Sequence, residues 1–145
     1  MAIEERLARL EAIEEIRALK ARYCDACDRQ HAPDLIAGLF AADGIWETAD
    51  LGTHQGRDAI RRAMVGIGGR VRRSQHNATN LDLRLDADQA WGSWHFSGML
   101  EPDDGPARLT LARYDEEYRR EDGRWYIQRL TATILARFAL TPLTD

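Results

Sequence analysis

The chain has 145 residues, of which 44% are hydrophobic and 30% are charged, and its formal net charge is −4. This length suits one domain, residues 1–145, with a core large enough to enclose a small-molecule pocket. The negative net charge argues against a nucleic-acid surface. No apolar run approaches the roughly 20 residues of a transmembrane helix. Residues 1–6 do not resemble a signal peptide, so we expect a cytoplasmic protein without a membrane partner.

Three helices are predicted in the first half of the chain. The first carries apolar residues at three- and four-residue steps and is expected to cover a sheet with this stripe. Its members are Leu7, Leu10, Ile13, Ile16, Leu19, Tyr23 and Cys27. A second helix is predicted at 33–40, because proline is tolerated in a first turn and Asp43 and Gly44 supply a stop. A third is predicted at 57–65, before a glycine-rich segment.

From Gln75 onward the hydrophobic period changes to two, which is typical of strands. A first long strand ends at a turn at 86–88, and further strands are predicted at 89–100, 107–120 and 124–137. A shorter strand is predicted earlier, at 45–48. This order predicts an α+β domain with three helices packed on one face of a curved, mostly antiparallel sheet.

Cys24 and Cys27 form a C-x-x-C pair, a spacing found in redox and zinc sites. Here the pair lies within a helical pattern, with no second Cys or His pair in the sequence pattern to complete a tetrahedral site. No strand precedes it, as a thioredoxin-like motif would require. We therefore interpret both cysteines as reduced, mostly buried thiols.

Asp28, near the end of the first helix, and His76, at the opening of a strand, are the candidates for acid–base chemistry. A carboxylate that orients an imidazole can make it a base near neutral pH. The alternative is that Asp28 caps or solvates a helix end and His76 is a hydrogen-bonded surface histidine. In an unbroken strand His76 would point away from the face that carries Leu81. A bulge between them, or a strand that starts only after Asn77, would bring His76 to the concave face.

Several local strings, taken with the order of elements, resemble the nuclear-transport-factor-2-like superfamily and in particular its SnoaL-like branch. They are Ile13-Glu14-Glu15-Ile16-Arg17, Ala41-Ala42-Asp43-Gly44-Ile45-Trp46, Gly52-Thr53-His54-Gln55-Gly56, Gln75-His76-Asn77, and Tyr118-Arg119-Arg120-Glu121-Asp122-Gly123-Arg124-Trp125. The resemblance covers nearly the whole chain and implies a cone-shaped α+β barrel. Within the branch, the chain is most similar to scytalone dehydratase, bile-acid 7α-dehydratase and hexachlorocyclohexane dehydrochlorinase.

In those enzymes an Asp late in the first helix pairs with a His at the start of the strand after the third helix, and these positions fall here on Asp28 and His76. The resemblance therefore implies a lyase of dehydratase or dehydrohalogenase type, acting on a small hydrophobic cyclic substrate and requiring no metal or organic cofactor. Tyr23 lies five residues before Asp28 and could donate a proton to a departing oxygen. Its structural alternative is membership of the apolar stripe.

Seven residues are candidates for the lining of the ligand pocket: Trp46, Glu47, Trp94, His95, Phe96, Leu111 and Ile127. The dehydratases carry a Tyr on the first strand, whereas the matching region here reads Ile45-Trp46-Glu47-Thr48, so the resemblance does not extend to that phenol and Trp46 or Glu47 is expected to line the pocket instead. Either Trp94 or His95 falls at the position of a pocket histidine in scytalone dehydratase. On the last strand Arg129 and Arg137 are candidates to hold an anionic group or, alternatively, to form surface salt bridges.

Two other functions remain open, because this superfamily also contains isomerases and proteins that only bind. A ketosteroid-isomerase-like isomerase needs a donor for an enolate oxygen, which Tyr23 or His95 could supply. A non-catalytic small-ligand-binding module would keep the apolar cone but leave Asp28 and His76 apart. The resemblance also predicts a homodimer or homotrimer, since members commonly bury the outer face of the sheet against another subunit.

Overall fold

The computed structural model describes residues 1–143, in which three helices and six strands form the predicted α+β fold. The elements are α1 (Ile3–Asp28), α2 (Pro33–Leu39), β1 (Phe40–Thr48), β2 (Gly52–Gln55), α3 (Arg57–Gly68), β3 (Val71–Asp86), β4 (Gln89–Pro102), β5 (Arg108–Glu121) and β6 (Arg124–Ala139). All six strands belong to one sheet in the order β2-β1-β6-β5-β4-β3. Only the pairing of β1 with β6 is parallel among these strands. Residues 144 and 145 of the predicted domain lie outside the described part.

The segment between α2 and α3 differs from the prediction. Asp43 and Gly44 do not stop a helix but lie inside β1, which begins at Phe40. The pairing of β1 with β6 shifts register between Phe40 and Ile45. A Cβ at Gly44 would stand 3.0 Å from the Ala41 carbonyl oxygen, so the irregular backbone here favours glycine. The hairpin partner β2 was not predicted.

The backbone of β3 is irregular in the region where the candidate histidine requires it. Pairing with β4 shifts register between Thr79 and Asp82, and Asn80 has a φ of 57°. As a result, His76 and Leu81 are both half-buried, although odd and even positions of a regular strand face opposite ways. The expected bulge between His76 and Leu81 is thus confirmed.

The helix α1 lies against the sheet only over its second half. Ile16, Leu19 and Cys27 are fully or almost fully buried. In contrast, Leu7 and Leu10 are 55% and 60% exposed, so the expectation that the whole apolar stripe covers the sheet is wrong for its first turns. None of the helices within residues 1–143 combines the length and the apolar character that a bilayer crossing requires.

Candidate active site

Asp28 and His76 are in direct contact at the point where the end of α1 meets the start of β3. The His76 ring donates through Nδ1 to Asp28 Oδ1 at 2.7 Å. The backbone N–H of His76 also donates to the same carboxylate, at 3.1 Å from each oxygen. Ser74 donates its hydroxyl to Oδ1 at 3.1 Å. The carboxylate therefore fixes both the ring and the backbone of His76, and ring atom Nε2 has no hydrogen-bond partner among residues 1–143.

The carboxylate of Asp28 remains charged in this setting. Its partial burial favours the neutral form, but the hydrogen bonds from His76 and Ser74 outweigh this effect and hold the pKa of Asp28 below its ordinary value. The side chains of His76 and Asp28 are 11% and 27% exposed. An anionic carboxylate on Nδ1–H selects the tautomer with a lone pair on Nε2 and stabilises the imidazolium that forms when Nε2 takes a proton.

The imidazole lies between two concave regions. On one side is a cavity of about 460 Å³ on the inner face of the sheet, within the size range of small-molecule sites. On the other side is a groove of about 590 Å³ between α1 and β3, lined by Asp28, His76 and Trp94. His76 belongs to both linings, whereas Asp28 lines only the groove. The charged carboxylate thus lies behind the imidazole with respect to the cavity.

One wall of the cavity is a continuous aromatic series. The ring centroids of His76 and Phe96 are 5.2 Å apart, and those of Phe96 and Tyr114 are also 5.2 Å apart. Tyr23 meets Tyr114 edge-on at 6.3 Å. Aliphatic side chains also belong to the lining, among them Leu51, Ile67, Met99 and Ile134. Aromatic and aliphatic side chains of this kind are common in the walls of small-molecule pockets.

The phenol of Tyr23 lies in this lining and is held by Trp46, whose indole Nε1 donates to the Tyr23 oxygen at 2.9 Å. Burial is the main cause that raises the pKa of Tyr23 well above its ordinary value. The phenol therefore keeps its proton across the usual working range of pH. Its oxygen already accepts a hydrogen bond from Trp46, so towards a further partner the phenol acts as a donor, and the Cys27 thiol is one such neighbour.

The structure brings only part of the predicted pocket lining to the cavity. Trp46 and Phe96 line it. Trp94 points inward but lines the groove instead, and its indole donates to the Tyr118 oxygen at 2.9 Å.

The remaining four candidates are placed elsewhere, so their assignment to the pocket is corrected. His95 and Leu111 lie together in a separate concavity of about 400 Å³ whose lining does not include Asp28 or His76. Ile127 is fully buried in the core. Glu47 accepts hydrogen bonds from Arg129 and Thr131 at 2.7 and 2.8 Å. Strand alternation explains the result for His95, since its neighbours Trp94 and Phe96 both face inward.

Charged residues at the cavity were largely missed by the sequence analysis. Arg70, Arg108 and Arg137 line it together with Asp50 and Asp104. Arg137, a candidate both to hold an anionic group and to form a salt bridge, pairs with Asp50 while lining the cavity. Arg129, the other candidate, pairs with Glu47 away from it. Isolated arginines on a strand give no signal that distinguishes these two placements.

His31 was also missed, and it belongs to the same lining. Its ring lies edge-on to His76, with 5.6 Å between centroids. Burial lowers the pKa of His31 to about 4, so the ring is neutral near pH 7. A His in the turn after a helix carries no pattern that would predict contact with a strand 45 residues later.

A buried ion pair supports the site from behind. Lys20 on α1 donates to Glu116 on β5, and both side chains are at most 2% exposed. Tyr118 donates to the same carboxylate. The ammonium of Lys20 also lies 3.7 Å from the ring centroid of Tyr114 and 4.6 Å from that of Tyr23. This network fixes α1 to the sheet directly behind the aromatic wall.

Comparison with known proteins places the chain in a family. The model of the SnoaL-like domain matches residues 8–131, which is most of the chain. The chain belongs to the SnoaL-like domain family. No curated protein sequence matches this SnoaL-like domain.

Solved structures share the fold of this SnoaL-like domain. A hexachlorocyclohexane dehydrochlorinase, LinA type 2, aligns over 97% of this chain and 96% of its own, with a TM-score of 0.88 and 22% identity. A candidate scytalone dehydratase from Novosphingobium aromaticivorans DSM 12444 aligns over 93% and 91%, with a TM-score of 0.84 and 20% identity. An NTF2-like protein with a cystatin-like fold from N. aromaticivorans aligns over 92% and 88%, with a TM-score of 0.72 and 23% identity. At these identities the likeness establishes the common fold.

Proposed function

We propose that this SnoaL-like domain is a lyase that needs no cofactor and removes a proton and a neighbouring leaving group from a small hydrophobic cyclic molecule. The observation that carries the proposal is the 2.7 Å contact between His76 Nδ1 and Asp28 Oδ1 beside the aromatic cavity. A charged carboxylate that orients an imidazole in a pocket wall is an arrangement typical of catalytic bases. The fold shared with a dehydrochlorinase supports the same class of reaction.

In this proposal Nε2 of neutral His76 removes a proton from a substrate carbon. The electron pair of the broken C–H bond forms a double bond to the adjacent carbon, and the leaving group departs with its own bonding electrons. Asp28 stabilises the imidazolium, which returns its proton to solvent when chloride is the leaving group. The dyad thus supplies the base for the reaction.

In this proposal Tyr23 is the proton donor to the leaving group. When hydroxide is the leaving group, the phenol donates its proton to the departing oxygen and water is released. The tyrosinate then recovers a proton from the imidazolium by way of solvent. Hydroxide is a much poorer leaving group than chloride, so a donor in the cavity favours dehydration over dehydrohalogenation.

The test is an elimination assay on a panel of hydroxylated and chlorinated cyclic compounds, including hexachlorocyclohexane, with products identified by mass spectrometry. We expect His76→Ala to abolish turnover and Asp28→Asn to lower the rate on the order of 10⁴-fold, the loss seen in a hydrolase triad when the orienting carboxylate becomes an amide. His95→Ala, in the separate concavity that neither Asp28 nor His76 lines, is the matched control and should keep full activity.

Other outcomes identify the alternatives. Full activity in His76→Ala contradicts the proposal. A double-bond shift without loss of a leaving group identifies an isomerase in which Tyr23 stabilises the enolate. Thermal stabilisation by a panel compound with no turnover of any compound identifies a binding module.

A further inference from the structure

Three potential metal ligands, two from the end of α1 and its following turn and one from β3, meet beside the cavity wall that His31 and His76 form. They are the thiol of Cys27 on α1, the ring of His31 in the turn after α1, and the ring of His76 on β3. One ligand atom from each lies within 4.8 Å of the other two. The C-x-x-C spacing alone does not predict this group, because Cys24 is not part of it and both histidines come from outside the motif.

His31 is the observation that points to a ligand. The residue is only 5% exposed, and its Nδ1 is buried with no hydrogen-bond partner in the described part of the chain. Leaving a buried polar atom without a partner costs about 1–3 kcal/mol, so such atoms are rare unless something else satisfies them. A neutral imidazole nitrogen is a ligand for Zn²⁺ and related ions.

The geometry requires little change to close around an ion. Tetrahedral Zn²⁺ with nitrogen and thiolate ligands keeps its donor atoms roughly 3.3–3.6 Å apart, as its bond lengths of about 2.0–2.3 Å dictate. The three atoms here all lie within 4.8 Å of one another, so their separations need to decrease by at most about 1.5 Å to reach this geometry. Since His31 and His76 line the cavity, an ion can reach the group from there and keep one position open for water.

Asp28 completes the arrangement as an outer partner. Histidines that bind metals commonly donate their second ring N–H to a carboxylate, which fixes the ring and increases its basicity. His76 already donates Nδ1–H to Asp28, so Nε2 is the nitrogen left for an ion. The group therefore has three ligands and one outer carboxylate, with Cys27 as the soft donor that favours Zn²⁺ over Mg²⁺ or Ca²⁺.

We propose that Cys27, His31 and His76 form a binding site for a thiophilic divalent cation of the Zn²⁺ class, and that a bound cation prevents His76 from acting as a base. On binding, the Cys27 S–H bond breaks, its proton passes to solvent, and the thiolate coordinates the ion. The lone pair of His76 Nε2 enters the same coordination shell and is no longer available to a substrate. The inhibition rests on the proposed lyase function, whereas cation binding by these three residues does not.

The experiment uses the full chain, treated with chelator, kept reduced with a phosphine, and titrated with Co²⁺ as a spectroscopic substitute for Zn²⁺. We expect one Co²⁺ per chain, with a near-ultraviolet thiolate-to-cobalt charge-transfer absorption that added Zn²⁺ removes. Cys27→Ser should lose this absorption, and His31→Ala should bind Co²⁺ at least 10-fold more weakly because a ligand is missing. Asp28→Asn should weaken binding about 10–100-fold through the outer partner.

Cys24→Ser and His95→Ala are the matched controls, since both keep the three ligands and should keep the absorption unchanged. Circular dichroism checks that each variant is folded. The site is disproved if the reduced wild-type chain shows no thiolate absorption with excess Co²⁺, or if folded Cys27→Ser retains it. Loss of the absorption in Cys24→Ser but not in Cys27→Ser would also overturn the assignment.

Inhibition by the bound cation is measured separately, in the elimination assay. Once a substrate is known, Zn²⁺ should inhibit the wild-type chain, and Cys27→Ser should need at least 10-fold more Zn²⁺ for the same inhibition. Activity that persists in the Co²⁺-saturated protein would overturn the inhibitory role while leaving the site itself intact. Failure of every substrate would affect only the proposed lyase function, because the absorption measurement needs none.

Discussion

The indole N–H of Trp46 donates to the phenol oxygen of Tyr23 at 2.9 Å, inside the lining of the cavity. This contact gives each residue a structural role. The indole stabilises negative charge on the phenol oxygen, and the phenol keeps its own proton, which it can donate to another acceptor. The two functions proposed for Tyr23, a core residue and a proton donor, are therefore compatible in this fold. Tyr23 is 3% exposed and still forms part of the cavity wall.

The first prediction follows from that relationship and concerns Tyr23→Phe. We expect this variant to lose about 10²-fold in the rate of elimination of a hydroxide leaving group, which is the low end of the effect of a positioned acid. For a halide leaving group the loss should be less than about 10-fold, because chloride needs no proton. The rates are measured on a hydroxylated and a chlorinated compound that share the same ring skeleton.

Tyr126→Phe, outside the cavity lining, is the control for this prediction. Equal losses for both leaving groups would exclude proton donation by Tyr23.

The second prediction concerns the buried pair of Lys20 and Glu116. Removing one partner leaves the other charge buried without compensation, so Lys20→Met should lower the free energy of unfolding by about 3–5 kcal/mol. The double variant Lys20→Met with Glu116→Leu should recover much of that loss, because no unpaired charge remains. Urea unfolding followed by fluorescence of the tryptophans gives both values. A double variant as unstable as the sum of the two single variants would show that the pair is not coupled.

Much of the fold follows from short-range pattern. The α1 periodicity predicts the presence of α1, and the period-two segments with the turn at 121–123 predict β4 to β6 with ends within one or two residues of those observed. Their predictability has a physical cause: side chains on these long elements alternate between core and solvent at a fixed period. The pairing of Asp28 with His76 came instead from resemblance, and the bulge it required is present at Asn80.

The remaining features depend on contacts that no local pattern encodes. Asp43 and Gly44 normally signal a turn, yet the parallel pairing of β1 with β6 draws them into a bulged strand. Lys20 in a helix looks like a solvated charge until Glu116, 96 residues later, is placed opposite. Arg129 and Arg137 are both at odd positions of β6, yet of these two described arginines only Arg137 lines the cavity. The register shift between Leu111 and Ala112 in the pairing of β5 with β6 lies between these two arginines and changes the face to which odd positions point.

The third prediction concerns pH and stability at Glu47. Hydrogen bonds from Thr131 in particular, and also from Arg129 and Thr53, lower the pKa of this carboxyl below its ordinary value of 4.5. A carboxyl with a depressed pKa in the folded state adds stability that is present above the unfolded-state pKa and is lost as pH falls through the folded-state pKa. We therefore expect Glu47→Gln to cost less than about 1 kcal/mol near neutral pH, because the pair is partly solvated.

That difference should shrink as pH falls below 4.5 and vanish once Glu47 is protonated in the folded wild-type chain. Urea unfolding of both proteins at about pH 7 and at about pH 3 measures the change. Asp88→Asn removes an exposed partner of Arg120 and serves as the control for general acid effects. A cost for Glu47→Gln that stays constant down to the lower pH would contradict the proposed network.

The last prediction concerns assembly, where the expected homodimer or homotrimer can be assigned to particular side chains. Leu135 and Phe138 on β6 are 68% and 52% exposed, and Leu135 lies with Leu111 in the concavity that neither Asp28 nor His76 lines. Exposed apolar side chains commonly mark a protein contact surface.

We expect sedimentation at micromolar concentration to show a dimer or trimer of the wild-type chain. Leu135→Asp should sediment as a monomer, since a charge cannot be buried there without a partner. Val65→Asp, equally exposed on α3, should leave the assembly unchanged, because it lies on a helix and not on the outer sheet. A wild-type chain that sediments only as monomer would show that these side chains remain in solvent.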